Sequence, residues 1–402
     1  MDVFIFDAVR TPRGKGRPDG SLAATAPAEL AAQLVRALEG RLGREAIHAI
    51  GHFALGCVTE VGAQGGHLAL MARIRAGLPE TVPCLTLNNF CVSGMSAIAQ
   101  AARRVALGEV GLALAGGVEC MSQVTFLADH ATYYNDMALA GALGWAPVGL
   151  AADLMAAREG IDRQALDAVV LRSHERAARA WREGRFDARV VPVTGAGGGT
   201  VLGRDENIRD LGDGTALARA RLAFDGVGAA GFDDIILERH PELGRALPHV
   251  HTVAHCPPIS DGAGLVMIGS AAAGAAAGLK PIARIAAMAE TADDHVLQLT
   301  AGFAALDLAL SRAGRVLSDI GAIEFMEAFA AVPVKFERDY EPDLNRVNVN
   351  GGHLAMGHPM GASGAILVGT LLDAMDCLAA DSGVVAATGG VGVGAAMVLD
   401  RV

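Results

Sequence analysis

A short motif occurs twice in this chain, as CVSG at residues 91–94 and as GASG at residues 361–364, 270 residues apart. Each copy begins an Ala-rich helical stretch. Each stretch is followed by an apolar run that ends in two glycines, Gly116-Gly117 in one case and Gly389-Gly390 in the other. Repetition of a whole helix-and-strand pattern indicates one structural unit used twice. The sequence therefore predicts two similar halves packed against each other.

Short apolar runs that favour strands alternate with Ala-rich helical stretches. Runs of the first kind lie at 3–6, 111–115, 265–268 and 384–387, and helical stretches at 27–42, 95–107, 302–313 and 364–378. With 52% hydrophobic and 19% charged residues, 402 residues can bury a large core. The pattern predicts an α/β fold whose sheets lie buried between helices.

A polar region rich in Arg and Glu separates the two halves. It covers residues 123–247 and includes a helical stretch at 163–182. We predict an inserted loop domain here, between an N-terminal half at 1–122, completed by about 248–272, and a C-terminal half at 273–402. Long insertions often contact ligands, and a surface role is the alternative.

The charge balance and the cysteines narrow the partners and the compartment. A net charge of -11 and a pI near 5.5 disfavour nucleic acid and anionic membranes as partners. The six cysteines are scattered without a CxxC pair, and no signal peptide is recognised, so we expect a cytoplasmic protein. The uncharged stretches 262–279 and 382–399 are rich in Gly and Ala, which favours buried structure over membrane spans.

Cys91 is the strongest candidate nucleophile. It follows two asparagines and lies at the start of the helical stretch 95–107, where free N–H groups and the helix dipole favour a thiolate. An inert buried cysteine is the alternative interpretation. The small residues at 93–94 and the Asn-rich approach favour a reactive role.

His358 is the candidate base. It lies in a glycine-rich loop, residues 351–364, beside the second GASG helix start. Because the two motif helices are equivalent in the two halves, we expect Cys91 and His358 to meet at a shared interface as a nucleophile and base. His353, in the same loop, is predicted to be structural or exposed.

Four segments give the sequence a family resemblance. They are NNFCVSGMSA at 88–97, MEAFA at 326–330, NVNGGHLAMGHPMGASGA at 348–365, and TGGVGVGAAMVLDRV at 388–402. Supporting stretches include DAVRTPRG at 7–14, AGGVECMS at 115–122 and PPISDGAG at 257–264. In these motifs the chain resembles the thiolases, which cleave or join 3-ketoacyl-CoA thioesters.

The resemblance implies a fold, partners and a mechanism. Two βαβαβαββ-type halves would form a five-layer αβαβα core, in a homodimer or a dimer of dimers. Cys91 would carry the acyl group, His358 would act as base, and the backbone N–H groups of Cys91 and Gly390 would hold the oxyanion. CoA would be a co-substrate rather than a resident cofactor, and no metal is expected. Such enzymes act in the degradation of fatty acids or of steroid and aromatic side chains.

Three positions depart from the family pattern. Thr388 stands where a second catalytic cysteine is usual, and a hydroxyl is a far weaker acid than a thiol. Met326 replaces the Asn or His of an oxyanion site, and methionine cannot donate a hydrogen bond. Pro257 replaces a serine that faces the pantetheine arm. Met326, Pro257 and Ser260 are assigned to the substrate pocket.

The departures weaken enolate chemistry and spare acyl transfer. The leading hypothesis is a thiolase-like acyltransferase acting on a 3-oxoacyl-CoA. The alternatives are a thiolase-fold hydrolase, an acyltransferase that does not use CoA, and a degenerate scaffold subunit.

Two weaker patterns remain. His249, His251, His255 and Cys256 raise the question of a metal site, but no familiar ligand spacing is completed, and we expect histidines lining the acyl or CoA channel. The glycines at 389–394 do not match a dinucleotide-binding loop, because no helix follows them.

Overall fold

The computed structural model describes residues 2–402. The strands in this range are β1 (Phe4–Arg10), β2 (Gly14–Lys15), β3 (His52–Gly56), β4 (Cys84–Leu87), β5 (Leu112–Cys120), β6 (Val193–Thr194), β7 (Thr200–Leu202), β8 (Ser260–Gly269), β9 (Ala283–Ala292), β10 (Ala322–Phe325), β11 (Ser382–Gly389) and β12 (Val393–Arg401).

The helices, in the same order, are α1 (Pro27–Leu42), α2 (Arg44–His48), α3 (Leu68–Ala76), α4 (Ser93–Ala106), α5 (Met137–Leu143), α6 (Val148–Glu159), α7 (Arg163–Arg182), α8 (Thr215–Ala218), α9 (Asp225–Val227), α10 (Asp233–Arg239), α11 (Ala271–Ala276), α12 (Ala301–Ala313), α13 (Ala331–Tyr340), α14 (His353–Met356) and α15 (Met360–Leu378). The predicted helix at 27–42 is observed with the same bounds. The one predicted at 364–378 begins four residues earlier, directly after Pro359, which cannot extend a helix backwards.

Ten strands form one large sheet in which the two halves follow the same order. The order β3-β5-β8-β1 in the N-terminal group matches the order β10-β11-β12-β9 in the C-terminal group. The N-terminal group has two further strands, β4 next to β3 and β2 paired with β8. β3 and β5 are parallel, as are β10 and β11, while β5–β8 and β11–β12 are antiparallel. The groups join where β1 pairs with β9, at Phe4 with Arg284 and Ile5 with Ala283. The internal repeat of the sequence is thus a repeat of sheet topology.

Helices separate and cover the two groups of strands. α1 and α3 pack on the outer face of the N-terminal group, α4 and α15 lie in the centre, and α12 covers the C-terminal group. The result is five layers, αβαβα, the arrangement that the family resemblance implied. α15 is long and apolar enough to cross a bilayer, but 83% of its most apolar window is buried inside the protein. Its composition therefore suits the central layer.

Two glycines let the central helices touch at their first turns. A Cβ atom on Gly94 of α4 would lie 2.8 Å from the carbonyl oxygen of Gly361, and one on Gly364 of α15 would lie 2.4 Å from the backbone nitrogen of Met95. Real Cβ atoms do not approach backbone so closely, so larger residues would force the helices apart. The starts of both helices, and the loops that precede them, therefore meet.

Residues 123–247 add no strand to the large sheet. They contain α5 to α10 and a separate hairpin, β6 with β7. The helix predicted at 163–182 is α7. β8, which follows this segment, pairs with β1 and β5 of the N-terminal group. The uncharged stretches 262–279 and 382–399 lie largely in β8, α11, β11 and β12.

Candidate active site

Cys91 lies in a tight turn between β4 and α4. The residue before it, Phe90, has a positive φ of 47°, which is unusual for a bulky side chain. Asn88 Oδ1 accepts a hydrogen bond from the Phe90 N–H at 2.9 Å, and the Ser93 hydroxyl donates to the Phe90 carbonyl at 2.6 Å. Strained turns of this kind persist where surrounding contacts fix them, and they are common at functional sites. The strain here presents the Cys91 thiol to a cavity.

The electrostatics of Cys91 differ from the sequence-based expectation of a thiolate. Burial raises the pKa of the thiol to about 11, and hydrogen bonds from the backbone N–H groups of Gly390 and Cys91 itself oppose that rise only partly. Desolvation of the charged form thus outweighs the favourable position before a helix. The resting thiol is protonated at neutral pH, and an attack by its sulfur requires a base.

The Gly389-Gly390 turn brings a backbone donor to the sulfur. A Cβ atom on Gly389 would lie 3.2 Å from Cys91 Cβ, so the two segments are in close contact. The next residue, Val391, has a φ of 58°, and its N–H donates to Gln298 Oε1 at 3.0 Å. The turn is therefore fixed, with the Gly390 N–H directed at the thiol. These N–H groups, of Cys91 and Gly390, are the ones to which the family resemblance assigns the oxyanion.

A crowded loop holds His358 on the other side. Gly357 has a φ of 102°, and a Cβ atom there would lie 1.9 Å from Ser260 Oγ. The His358 N–H donates to the Pro258 carbonyl at 2.8 Å. Arg13, which is fully buried, donates from Nη1 to the Gly357 carbonyl at 2.8 Å. The backbone of the candidate base is thus held from β8 and from the segment after β1.

The imidazole of His358 is oriented by Ser363. Nδ1 lies 2.7 Å from Ser363 Oγ, and Ser363 Oγ also lies 3.1 Å from the Pro359 carbonyl. Both contacts are hydrogen bonds in one arrangement, in which the hydroxyl donates to the Pro359 carbonyl and accepts from Nδ1, and this assignment places the ring hydrogen on Nδ1. Nε2 then holds a lone pair, and it has no partner within the described chain. Burial and the charge of Arg13 lower the pKa of His358 to about 3, which keeps the ring neutral.

One cavity, which we call the reaction cavity, reaches both residues. Its volume is about 340 Å³, and its walls include Cys91, His358, Thr388, Gly390 and Pro257. The two halves of the molecule therefore bring the predicted nucleophile and base to the same space.

A second cavity of about 470 Å³, the entrance cavity, continues from the first. The two share Phe224, Cys256, Pro257 and Ile259. Basic side chains lie at the second one, namely Lys15, Arg17 and Arg209. An anionic ligand with a long apolar arm matches this succession of surfaces.

Three of the residues predicted for the site, Thr388, Met326 and Ser260, lie in different surroundings. Thr388 lies in the wall of the reaction cavity, and its buried hydroxyl has no partner among residues 2–402. Met326 is fully buried in the core instead, and Ala328 and Phe329 form the wall on that side. Ser260 does not line the reaction cavity or the entrance cavity either. Its hydroxyl donates to the Pro258 carbonyl at 2.9 Å and so fixes the loop beside Gly357.

The three histidines near Cys256 form hydrogen bonds with aspartate side chains. His249 bridges Asp153 at 2.8 Å and Asp233 at 3.1 Å. His251 contacts Asp153 at 2.7 Å, and His255 contacts Asp167 at 2.7 Å. Within residues 2–402 no group of three or more metal-binding side chains is assembled. His251 and His255 are fully buried, and among His249, His251, His255 and Cys256 it is Cys256 that lines the reaction and entrance cavities, so the structure does not place these histidines in the walls of either cavity.

Two residues that support the site, Glu119 and Ser363, were not singled out from the sequence. Glu119 is buried and accepts from the N–H groups of Val58 at 2.9 Å and of Gly361 at 2.9 Å, which links the two halves. His353 is fully buried, and its ring packs edge to face on His358 with 5.2 Å between centroids, so it is not exposed. The repeat did carry one signal, since Ser363 is the counterpart of Ser93 at the same spacing.

Comparison with known proteins agrees with this architecture. Residues 3–232 match the thiolase N-terminal domain, and residues 279–401 match the thiolase C-terminal domain. A 3-ketoacyl-CoA thiolase of Alcanivorax borkumensis is 34% identical, over 100% of this chain and 98% of the relative. One of Photorhabdus laumondii is 33% identical, over 100% of this chain and 99% of the relative.

A solved structure extends the comparison to three dimensions. The crystal structure of human mitochondrial 3-ketoacyl-CoA thiolase superposes with a TM-score of 0.85 at 25% identity, covering 100% of this chain and 99% of that one. Both domain matches and the full-length relatives lead to one conclusion. The chain belongs to the thiolase family.

Proposed function

We propose that this protein is an acyltransferase that cleaves a 3-oxoacyl-CoA with a second CoA thiol, or runs the reverse condensation, through an acyl group on Cys91. One observation carries the proposal. The thiol of Cys91, the N–H of Gly390 and the unpartnered Nε2 of His358 belong to one cavity. These are the nucleophile, oxyanion donor and base that acyl transfer needs.

The proposed reaction begins with a neutral pair. His358 Nε2 takes the proton of the Cys91 thiol as the sulfur attacks the 3-keto carbon, and the N–H groups of Cys91 and Gly390 stabilise the oxyanion. The C2–C3 bond then breaks, the acyl group stays on sulfur, and the acetyl-CoA carbanion takes the proton held by His358. A second CoA thiol gives its proton to His358, attacks the thioester and leaves as acyl-CoA, which returns the proton to Cys91.

The entrance cavity supports CoA as the co-substrate. Lys15, Arg17 and Arg209 supply positive charge for the phosphates of a nucleotide, and charged donors bind phosphate strongly. Pro257 and Ile259 line both cavities and supply an apolar path for the pantetheine arm. In this proposal CoA enters and leaves as a substrate, and no resident cofactor is involved.

A second candidate function is acyl transfer or hydrolysis without C–C cleavage. Two positions favour it, Thr388 and Met326. The hydroxyl of Thr388 is a weak acid in the place where a thiol usually moves the α-carbon proton, and Met326 lies in the core without a donor. Acyl-Cys91 would still form in this case, but a 3-oxoacyl-CoA would not be cleaved faster when CoA is added.

Intact-protein mass spectrometry and a cleavage assay test both functions. Incubation with acetoacetyl-CoA is expected to add one acyl group, and Cys91→Ala is expected to abolish the adduct. Cys377→Ala is the matched control, because Cys377 is an exposed free cysteine. CoA-dependent loss of acetoacetyl-CoA supports the main proposal. An adduct without cleavage supports the second function, and the absence of any adduct refutes both.

We also propose that the chain forms a homo-oligomer in the cytoplasm. Large apolar side chains are exposed close together in the sequence at Met137, Leu139 and Leu143. Apolar surface of this kind is commonly covered by another subunit. Sedimentation velocity is expected to give the mass of two or four chains, and a mass of one chain would refute the oligomer. Fractionation of the producing cells tests the compartment.

A further inference from the structure

A third cavity, the side cavity, also reaches Cys91. Its volume is about 60 Å³. Six residues line both it and the reaction cavity, namely Cys91, Phe126, Pro147, Val148, Met360 and Gly390, and none of its wall residues lines the entrance cavity. The cavities therefore follow one another in the order side, reaction and entrance. Cys91 lies where the side cavity meets the reaction cavity.

Aromatic rings form much of the wall of the side cavity. Phe90, Phe126, Tyr134 and Trp145 all contribute, in a chain of 402 residues with only two tryptophans and three tyrosines. Trp145 is 8% exposed, and its ring lies 5.2 Å from that of Tyr134, centroid to centroid. Tyr133, which does not line the cavity, packs on Trp145 from outside at 5.2 Å. Because these rings pack against one another, the wall of the side cavity is rigid.

The charged side chain in the wall of the side cavity is negative. Asp129 lies in its wall, is exposed, and accepts a hydrogen bond from the Tyr134 hydroxyl at 3.2 Å. No lysine or arginine of residues 2–402 lines the cavity. A ligand carboxylate here would lose water and meet a like charge, without a cation to compensate.

We propose that the side cavity binds the acyl group carried by Cys91 and restricts it to uncharged groups of about four to six carbon atoms, since one water-sized group needs roughly 10–15 Å³ on this measure. The inference rests on the proposed function. A thioester carbon on Cys91 has its CoA arm directed through the reaction cavity to the entrance. The remaining substituent needs space that reaches the sulfur from elsewhere, and the side cavity supplies it.

Acyl loading from simple acyl-CoA esters isolates this step. The Cys91 sulfur forms a bond to the acyl carbon as the bond from that carbon to the CoA sulfur breaks. The proton that His358 took from Cys91 leaves on the CoA thiol. No oxidant, reductant or C–C cleavage is involved, so the size and charge of the acyl group are the only variables.

Three donors test the proposal, namely butyryl-, succinyl- and dodecanoyl-CoA. Butyryl and succinyl groups both have four carbons and differ by a terminal carboxylate. The rate of mass gain at Cys91 is expected to be at least about tenfold higher with butyryl-CoA than with either of the others, since poorly accommodated groups are typically discriminated by that much or more. Equal rates with butyryl- and dodecanoyl-CoA, or with butyryl- and succinyl-CoA, would overturn the assignment.

Matched variants locate the selectivity. Trp145→Leu removes a ring from the cavity wall and is expected to raise the dodecanoyl-to-butyryl rate ratio by at least about tenfold. Tyr133→Leu makes the same change outside the wall and should leave the ratio as it is. Phe126→Ala, at a side chain 46% exposed, widens the same cavity at little risk to folding and should also raise the ratio. Equal shifts in Trp145→Leu and Tyr133→Leu would overturn the assignment.

The outcomes separate this inference from the proposed function. Loading of all three donors at similar rates contradicts the side cavity as the acyl site and leaves acyl transfer through Cys91 intact. Loading of none, in protein that also fails to react with acetoacetyl-CoA, contradicts the proposed function and the inference together. Cys91→Ala checks that the mass gain is at the intended sulfur.

Discussion

Ser363 Oγ accepts a hydrogen bond of 2.7 Å from Nδ1 of His358 and thereby fixes which ring nitrogen carries the hydrogen. Without this contact the ring could rotate, and Nε2 could carry the hydrogen that the base must be free to accept. Ser363 does not line the reaction cavity or the entrance cavity, so it acts through His358 as a positioning residue.

We predict that Ser363→Ala lowers the rate of Cys91 acylation by about 10- to 100-fold, the usual effect of removing a contact that orients a reactive histidine. Thr370→Val is the control. It removes another buried hydroxyl from α15, one that contacts the Ile366 carbonyl at 3.0 Å. Both variants should lose thermal stability, and only Ser363→Ala should lose rate. Equal rates in the two variants would contradict the orienting role.

The charge of Arg13 should set the pH below which the rate of Cys91 acylation falls. Burial, with the charge of Arg13, lowers the pKa of His358 from 6.5 to about 3, so the neutral base is present at all pH values above that. In Arg13→Met the pKa is expected to rise by on the order of one unit, and activity should then be lost at a higher pH as the pH falls. Acylation rates from about pH 3 to pH 8 measure this shift.

Arg13→Lys keeps the positive charge and serves as the control for Arg13→Met. Its acid limb should stay close to that of the unaltered protein. Because Arg13 is buried, both variants need a thermal unfolding curve to show that they are folded. Identical pH profiles for Met and Lys would show that the charge at this position does not act on His358.

The reactivity of Cys91 should increase with pH over a wide range. Burial raises the pKa of its thiol to about 11, so the thiolate is a minor species at pH 7. Alkylation by iodoacetamide, followed by peptide mass mapping, is expected to accelerate about tenfold per pH unit from 7 to 10. The exposed Cys377 in the same digest reports reagent delivery. A rate that is already constant at pH 8 would show that the resting residue is a thiolate.

Thr388→Cys should strengthen C–C cleavage. Thr388 lies in the same cavity wall as Cys91 and His358, and its hydroxyl has no partner in the described chain. A thiol there could move the α-carbon proton, and acetoacetyl-CoA thiolysis is expected to rise at least about tenfold. Thr388→Ser provides the same space without an acidic group and should show no such gain. No gain with cysteine would show that proton transfer at this position does not limit the reaction.

The architecture was accessible from the sequence because the repeat is local and periodic. The motif helices at 93–106 and 360–378, and the strands after them, follow patterns that hydrophobic burial imposes on any layered fold. The meeting of Cys91 and His358 followed from the same repeat, since equivalent helices of two halves share an interface.

Other features of the site could not be predicted from patterns. Met326 and Ser260 were assigned to the pocket from the family resemblance, yet the Met326 side chain is buried in the core and the Ser260 hydroxyl contacts the Pro258 carbonyl. Which way a side chain points at the end of a strand depends on register and packing. The thiol of Cys91 was expected to ionise, but it is buried against residues that are far away in the chain, such as Gly389 of β11, and this desolvation raises its pKa.

The close contact of Gly94 with Gly361, and of Gly364 with Met95, has a consequence for how such a protein can diversify. The spacing of the reactive groups is set by main chain in the middle of the molecule, where no insertion or surface substitution reaches it. The segment that carries Trp145 and Phe126 lies outside that layer and can change freely. A descendant of this chain could therefore exchange one acyl group for another while its bond-making chemistry stays the same.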